Sequence, residues 1–338
     1  MWSRNDLKED IKTLEEILKK EKDLKTKEYY SNVISSIYEF ISYLGNFDFF
    51  NGYDSYNDAL KECSCYSLYY PYVEKYNNIF LKSNVNEDFK YYNMNYKLKE
   101  KDLLDIVDMF YKSFDSFIYK NFKTVLDNAK INYVKSNELI DGQFFNIPVL
   151  NKNYIEISKN KDLRCVIISL IHEFGHGIVL NMNKDRYYND TFMEIESYFF
   201  ELLGYDFLRK TFNDKFYSEE KKKLSFYNCE LSCGVINTKN LVSKLFNYNS
   251  KEALKVFAKK TSEDENYSNS VSIDVEYLIG YIVAIELYEN YLINKDNALN
   301  KLINITSNSK NESEYERILK NVSPCKSLSK YLKKIKNI

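Results

Sequence analysis

The apolar residues near the start of the chain recur at intervals of three and four residues. This spacing predicts an amphipathic helix over residues 5–25, with Asn5 as its N-cap. The apolar stripe of this helix consists of Leu7, Ile11, Leu14, Ile17 and Leu18. The same spacing predicts further helices at about 26–44, 55–83 and 99–130, the second of which is interrupted by Pro71.

The pattern changes from helical spacing to short extended segments at about residue 131. Three segments, 131–134, 143–150 and 153–158, are rich in β-branched and aromatic residues and are separated by glycine, proline and asparagine. We predict three strands there. In the third segment Ile155 and Ile157 alternate with more polar positions, which predicts a strand with one buried and one open face.

Helical spacing returns after the strands and continues to the end of the chain. A helix with an apolar body begins near Asn160 or Asp162, and another follows at 190–212. The predicted fold is therefore mostly α-helical with a small β-sheet. We predict an N-terminal helical lobe at 1–98 and a larger region at 99–338, which together form one continuous two-lobed unit.

The composition limits the classes of partner. The chain has 49 acidic and 48 basic residues, so no net field favours nucleic acid or an anionic membrane. The first residues are charged, and no apolar run approaches membrane-spanning length, which predicts a cytoplasmic protein. Six cysteines without a secretory signal are typical of reduced thiols. Cys229 and Cys233 have helical spacing, but no spare histidine exists to complete a zinc site with them.

Both histidines of the chain lie in one apolar segment, "SLIHEFGHGI" at 169–178. His172 and His176 are four residues apart, so on a helix their imidazoles project from the same face and can bind one metal ion. Glu173 lies about 100° around the helix axis, where its carboxylate can contact a water on that ion without ligating it. This pattern is typical of a catalytic zinc site, in which the metal keeps one position for water and lowers the pKa of that water.

A third protein ligand has to be Glu, Asp or Cys, because the chain has no further histidine. The next predicted helix offers Glu194, Glu196 and Glu201. Glu194 and Glu201 are seven residues apart and share a face, whereas Glu196 points about 200° away from Glu194. We favour Glu194 as the ligand. Glu201, two turns further along, is then placed to accept a ring N–H from a ligating histidine, and a surface carboxylate is the alternative interpretation.

These motifs resemble those of the thimet oligopeptidase and oligoendopeptidase F family of zinc metallopeptidases. The segment "LIHEFGHG" is similar to the HEFGH segment of that family, and "TFMEIESYFFE" resembles its D-F-V-E-x-P-S-Q-x-x-E segment. The second match implies that Glu194 binds zinc and that Glu201 is the second acidic position. Glu196 and Tyr198 replace the proline and the glutamine of the family. The resemblance implies a multi-helix fold of the zincin type, with a small β-sheet at the edge of the active-site cleft.

Two further segments resemble the same family. The strand "NYIEIS" is similar to the strand at the edge of the cleft, which implies that a peptide substrate adds to it as an extra strand. The substrate-binding residues predicted on this strand are Tyr154, Glu156 and Ser158. The segment "VEYLIGYIVAIELY" resembles the family's D-Y-x-I-G-Y-x-x-A-L segment, which implies that Tyr277 and Tyr281 stabilise the oxyanion of the tetrahedral intermediate.

The predicted activity is that of a zinc metalloendopeptidase that hydrolyses short peptides and binds one Zn²⁺ per chain. Glu173 takes a proton from the bound water and passes it to the leaving amine. The family's histidine ahead of the tyrosine segment is replaced here by Ser270, Ser272 and their neighbours. This difference favours an alternative, a catalytically weak or inactive zinc-binding scaffold that holds peptides. A third hypothesis is a selective protease for one protein substrate. The sequence leaves the oligomeric state open.

Overall fold

The computed structural model describes the chain in eight ranges, which are 3–43, 100–134, 142–158, 163–182, 194–212, 280–307, 314–323 and 326–336. Within them the protein is mostly helical and has one three-stranded sheet, as the sequence predicts. The chain forms two compact units, one of residues 1–49 and 94–184, the other of residues 50–93 and 185–338. The predicted helix at 55–83 and the predicted boundary between residues 98 and 99 lie outside the described residues.

The first unit contains five described helices and the sheet. The helices are α1 (Arg4–Lys20), α2 (Leu24–Tyr43), α3 (Glu100–Lys112), α4 (Ser116–Asp127) and α5 (Leu163–Met182). The strands are β1 (Ala129–Val134), β2 (Gly142–Ile147) and β3 (Lys152–Ser158), and a single 3₁₀ turn at Pro148–Leu150 connects β2 to β3. The helix predicted at 99–130 is therefore two helices, followed directly by a strand.

Local hydrogen bonds explain two differences from the predicted helix ends. Ser3, rather than Asn5, is the N-cap of α1, because its side chain accepts a hydrogen bond from the Asn5 backbone N–H at 3.2 Å. The Asp6 carboxylate accepts from the Ser3 backbone N–H at 2.7 Å, which completes a capping box. After α3 ends at Lys112, Asp115 caps α4, because its carboxylate accepts from the Ile118 N–H at 2.8 Å.

The strand order in the sheet is β1-β3-β2, with β3 parallel to β1 and antiparallel to β2. Both backbone edges of β3 are therefore already paired. The expectation that β3 is the edge strand of the cleft is wrong, because a peptide cannot add to a strand that has a neighbour on each side. Among the described residues β2 and β1 are the edge strands.

One face of the sheet is covered by α1 and α2. Phe40 of α2 stacks on Phe145 of β2 with ring centroids 4.4 Å apart. Asp10 of α1 accepts hydrogen bonds from Lys152 and from the Tyr154 hydroxyl, both on β3. These contacts belong to a buried cluster that includes Leu7, Ile11 and Leu14 of the predicted stripe, together with Ile34, Ile37, Ile147 and Tyr154. The amphipathic helix at the N-terminus is confirmed, and the sheet is the surface that it covers.

The opposite face of the sheet packs against α5, which also contacts α3 and α4. Because helices cover both faces, six of the seven residues of β3 are buried, and the expectation of one open face is wrong. The Tyr111 hydroxyl of α3 donates to the Ile171 carbonyl of α5 at 2.7 Å. Phe122 of α4 packs edge-on against Phe174 of α5, with centroids 5.1 Å apart. The helix that carries both histidines is thus fixed from three sides.

Helix α5 bears on the prediction that no apolar segment of the chain is long enough to span a membrane. Its Cys165–Met182 stretch is long and apolar enough to cross a membrane by length and composition, so the expectation of no such run is wrong. However, 83% of this stretch is buried inside the protein. Its hydrophobicity is explained by its central position between the sheet and two other helices.

The second unit is described as five helices. They are α6 (Glu194–Phe212), α7 (residues 280–293), α8 (Lys295–Thr306), α9 (Glu314–Asn321) and α10 (Leu328–Lys336). Buried carboxylates of α7 hold the start of α10, since Glu286 accepts from the Ser327 backbone N–H at 2.6 Å and Glu289 pairs with Lys330 at 2.5 Å. The Tyr288 hydroxyl of α7 donates to Asp206 of α6 at 2.5 Å.

Candidate metal centre

The two histidines lie one turn apart on α5, as their spacing predicts. Their ring centroids are 5.0 Å apart and the ring planes are inclined by 84°. His172 is half-buried, and His176 is 7% exposed. The ring of Phe144, from β2, lies 6.3 Å from the ring of His176. The sheet therefore packs directly against the helix turn that presents the imidazoles.

Glu194 is the first described residue of α6. The Ser197 hydroxyl lies 3.2 Å from Glu194 Oε2 and 3.1 Å from the Glu194 carbonyl oxygen, so it donates to one of the two. Glu194 and Glu196 place acidic groups in the first turn of the helix, and Arg209 and Lys210 place basic groups in its last turn. This arrangement complements the helix dipole, which favours a regular α6 without the proline of the related motif.

His172, His176 and Glu194 form a group that can bind a metal ion. One ligand atom from each of the three lies within 4.8 Å of the other two. Ligand atoms at about 2.1 Å from a tetrahedral zinc are about 3.4 Å apart, which is within this separation. Two imidazole nitrogens and one carboxylate oxygen are a typical donor set of catalytic zinc. Across the described residues, no other cluster of three such side chains meets the same criterion.

Glu173 does not belong to this ligand group. Its side chain is 5% exposed and lies beside the first residue of β2. A Cβ atom built on Gly142 would be 2.8 Å from Glu173 Oε1. The carboxylate next to His172 therefore rests against the backbone of an edge strand, outside the ligand group.

Glu201 is 1% exposed, so the interpretation of this residue as a surface carboxylate is wrong. The hydroxyl of Tyr205, one turn along α6, donates to Glu201 Oε1 at 2.9 Å. A buried carboxylate needs such a donor, because burial without hydrogen bonds disfavours its charged form. The contact between Glu201 and a histidine ring N–H stays a prediction.

Of the two tyrosines predicted to act on the oxyanion, Tyr277 lies outside the described residues. Tyr281 is in α7 and is 2% exposed. Its hydroxyl oxygen is 3.4 Å from that of Tyr331 in α10, and its ring packs edge-on against Tyr198 at 5.4 Å between centroids. The preceding residue, Gly280, lies next to Glu194. A Cβ atom built on Gly280 would be only 3.0 Å from Glu194 Cβ, so there is no room for a side chain between the two residues.

The structure does not bring the three predicted substrate-binding side chains to the histidine helix. Tyr154, Glu156 and Ser158 occupy every second position of β3, so their side chains share one face of the sheet. Tyr154 donates to Asp10 of α1, which shows that this face is the one covered by α1. Gln143 Nε2 donates to Glu156 at 2.6 Å. Burial raises the pKa of the Glu156 carboxyl, which the hydrogen bond from Gln143 partly opposes. These side chains lie on the face of the sheet opposite to α5.

Sequence reasoning missed Gly142 and Gly280, the two glycines that contact Glu173 and Glu194. Gly142 was visible only as a break between two predicted strands, and Gly280 only as the glycine of the tyrosine segment at 275–288, so neither signal indicated a contact with a carboxylate. It also missed Tyr111, whose hydroxyl binds the carbonyl directly before His172. Burial raises the pKa of Tyr111 well above its usual range, so this hydroxyl remains a donor.

No family model and no curated protein matches this sequence. Three solved structures are similar to it. A Bacillus anthracis str. Ames protein assigned as an oligoendopeptidase F has 15% identity and a TM-score of 0.47, over 92% of this chain and 62% of that chain. PZ peptidase A, solved with an inhibitor, has 15% identity and a TM-score of 0.48, over 82% of this chain and 58% of that one.

The third structure is another protein assigned as an oligoendopeptidase F, with 11% identity and a TM-score of 0.50. It matches over 92% of this chain and 65% of its own length. This chain therefore spans less than two thirds of the length of each of the three. At identities this low the similarity concerns the fold, and the chain shares its fold with oligoendopeptidase F.

Proposed function

We propose that this protein is a zinc-dependent peptidase that hydrolyses peptide bonds in short peptides. The observation that carries the proposal is the convergence of His172, His176 and Glu194 around one point, with Glu173 beside them outside the ligand group. The fold shared with oligoendopeptidase F supports the same conclusion. A single zinc ion bound by the three side chains would polarise a water molecule and the scissile carbonyl.

Glu173 is the acid–base residue of the proposed reaction. Its carboxylate takes a proton from the attacking water and transfers that proton to the leaving amine. Its burial and its contact with the strand backbone keep the carboxylate in one place, which a proton transfer over hydrogen-bond distance requires.

The hydroxyls of Tyr277 and Tyr281 are the proposed donors to the developing oxyanion. Support for Tyr281 comes from the contact between Gly280 and Glu194, which keeps the start of α7 against the carboxylate ligand. Glu201 is the proposed acceptor for a ring N–H of a ligating histidine, a contact that fixes the imidazole tautomer.

The strand that binds the substrate is proposed to be β2 rather than β3. The pairing of β2 with β3 uses one edge of β2, and no described strand pairs with the other. The first residue of β2 lies against Glu173, so a peptide extended along this edge passes the acid–base residue. This assignment replaces Tyr154, Glu156 and Ser158 as the substrate contacts. Peptides in the cytoplasm are the proposed partners.

Hydrolysis of a library of internally quenched fluorescent peptides tests the proposal. The purified chain, loaded with one equivalent of zinc, should cleave members of the library. A chelator should abolish cleavage, and added zinc should restore it. Full zinc occupancy with no cleavage across the library would overturn the peptidase and favour the peptide-holding scaffold. Cleavage that survives complete removal of metal would overturn the role of zinc.

A further inference from the structure

Gly142 occupies a position where the protein leaves room for a catalytic carboxylate. It is the first residue of β2 and pairs with Ile157 of β3. The face of β2 that it shares with Phe144 is turned towards α5, because Phe144 contacts Gly177 of that helix. A Cβ atom at Gly142 would lie 2.8 Å from Glu173 Oε1, 2.9 Å from Ile157 Cδ1 and 3.2 Å from the Glu156 carbonyl oxygen.

A side chain at position 142 and the present position of the Glu173 carboxylate exclude each other. Non-bonded carbon and oxygen atoms are in ordinary contact at about 3.3–3.6 Å, so 2.8 Å is a clash even for a methyl group. The two crowded atoms, Glu173 Oε1 and Ile157 Cδ1, are both at the ends of flexible side chains. The third atom, the Glu156 carbonyl oxygen, belongs to the backbone of β3, so an alanine at 142 requires these side-chain ends to rotate and the two strands to separate by a few tenths of an ångström.

A second glycine on α5 provides a contrast. A Cβ at Gly177 would lie 2.6 Å from Val125 Cγ1 and 3.1 Å from the ring of Phe144. These atoms belong to side chains packed between α4, α5 and the sheet, so Gly177 determines how closely the elements pack. At Gly142 the closest atom is the carboxylate oxygen of the proposed acid–base residue. The two glycines thus have different physical roles.

We infer that Gly142 is a positioning residue for Glu173, because the missing side chain at this strand position lets the carboxylate rest against the backbone of β2. The inference rests on the proposed function, in which Glu173 transfers protons. It adds that a residue on the sheet, rather than on the histidine helix, determines where the carboxylate lies. Misplacement of a reacting group by about 1 Å costs on the order of a hundredfold in rate.

The kinetic test is Gly142→Ala in the zinc-loaded protein with a fluorescent peptide substrate. We expect kcat to fall about ten- to a hundredfold, with KM within about threefold of the original value and one zinc retained per chain. The matched control is Asn132→Ala, which changes a residue of β1 opposite Glu156, on the face of the sheet away from α5, and should leave kcat unchanged. An equal fall in kcat for both variants would assign the effect to the sheet as a whole and would contradict the inference.

A double-mutant cycle with Glu173→Asp separates positioning from a structural role. Aspartate is shorter by one methylene, so its carboxylate is withdrawn from position 142. The cost of Gly142→Ala should therefore be clearly smaller in the Glu173→Asp background than in the parent protein. Equal costs in the two backgrounds would contradict the inference, since they would show that residue 142 acts independently of Glu173.

A crystal structure of the Gly142→Ala variant gives a result that does not depend on activity. We expect the strand and α5 to superpose on the parent protein, and the Glu173 carboxylate to move by about 1 Å or more. An unmoved carboxylate would overturn the inference even if the parent is an active peptidase. A moved carboxylate in a parent that binds zinc but cleaves no peptide would retain the positioning contact and reject the proposed function.

Discussion

The two faces of the small sheet are built from alternate residues of the same strands, yet they have different chemistry. On the face that α1 and α2 cover, Asp10 accepts from Lys152 and Tyr154. On the same face the ring of Phe40 stacks on that of Phe145. On the face of α5, a strand glycine adjoins the carboxylate of Glu173. Charged groups on the first face bind each other and hold the helices in place. On the second face the close approach of the backbone leaves room for the carboxylate that the proposed function uses as its acid–base group.

The largest expected effect is a loss of kcat/KM that occurs when a buried carboxylate is removed on the α5 side of the sheet, but not when one is removed on the opposite side. Glu173→Gln should lower kcat/KM by about 10²–10⁴-fold, because an amide cannot transfer the proton. Glu156→Gln makes the same change on a neighbouring buried carboxylate of the opposite face, and should alter kcat/KM by less than about threefold. Peptide hydrolysis at measured zinc occupancy compares the two. Similar losses in both variants would contradict the difference between the faces.

A smaller effect, on stability, is expected from Asp10→Asn. Asp10 is 2% exposed and accepts from both Lys152 and Tyr154, so loss of its charge weakens the ion pair with Lys152 and the buried hydrogen bond from Tyr154. The free energy of unfolding should fall by about 1–3 kcal/mol, with kcat of the folded protein unchanged. Urea denaturation measures the change, and Glu9→Gln on the exposed side of the same helix is the control. A loss of kcat without a loss of stability would place Asp10 in the reaction.

The smallest expected effect is the acid sensitivity of the pair between α1 and β1. The hydrogen bond from Lys130, at 2.6 Å, and those from Ser3 together lower the pKa of Asp6 from 3.8 to about 2. The ionised carboxylate stabilises the fold above the unfolded-state pKa, and this contribution disappears as the pH falls towards 2. Because the pair is partly exposed, the contribution is below about 1 kcal/mol.

Unfolding free energies of the parent and of Asp6→Asn, measured between pH 6 and pH 2, test this dependence. Their difference should be constant near neutrality and should shrink as the pH falls below about 4. A difference that stays constant down to pH 2 would show that the ion pair contributes nothing to the stability of the folded chain.

Local patterns in the sequence predicted the elements that carry the chemistry. The spacing of His172 and His176 predicted a shared helix face, and this expectation depends only on helix geometry, with 3.6 residues per turn. Helix geometry placed Glu194 and Glu201 on one face, and the resemblance to the oligoendopeptidase F motif implied that the first of them is the third ligand. The ligand atoms of the two histidines and Glu194 lie close together in the structure.

The order of the strands was not predictable in the same way. Alternation in β3 indicated a strand with one open face, but it carried no information on which elements cover that face. The pairing of β3 with β2 is local, but the central position of β3 results from its parallel pairing with β1, which joins Ala129 to Asn153 and which no local pattern records. The role of Gly142 was missed for the same reason, because its contact with Glu173 joins residues 31 positions apart.

The zinc content of the purified chain is the measurement that tests the metal centre most directly. After dialysis against a weak chelator, elemental analysis should find one zinc per parent chain and a clear loss in Glu194→Gln. Glu196→Gln, which makes the same change two residues along α6, should keep its zinc. A parent chain without zinc, or a Glu194→Gln variant with full occupancy, would contradict the proposed centre.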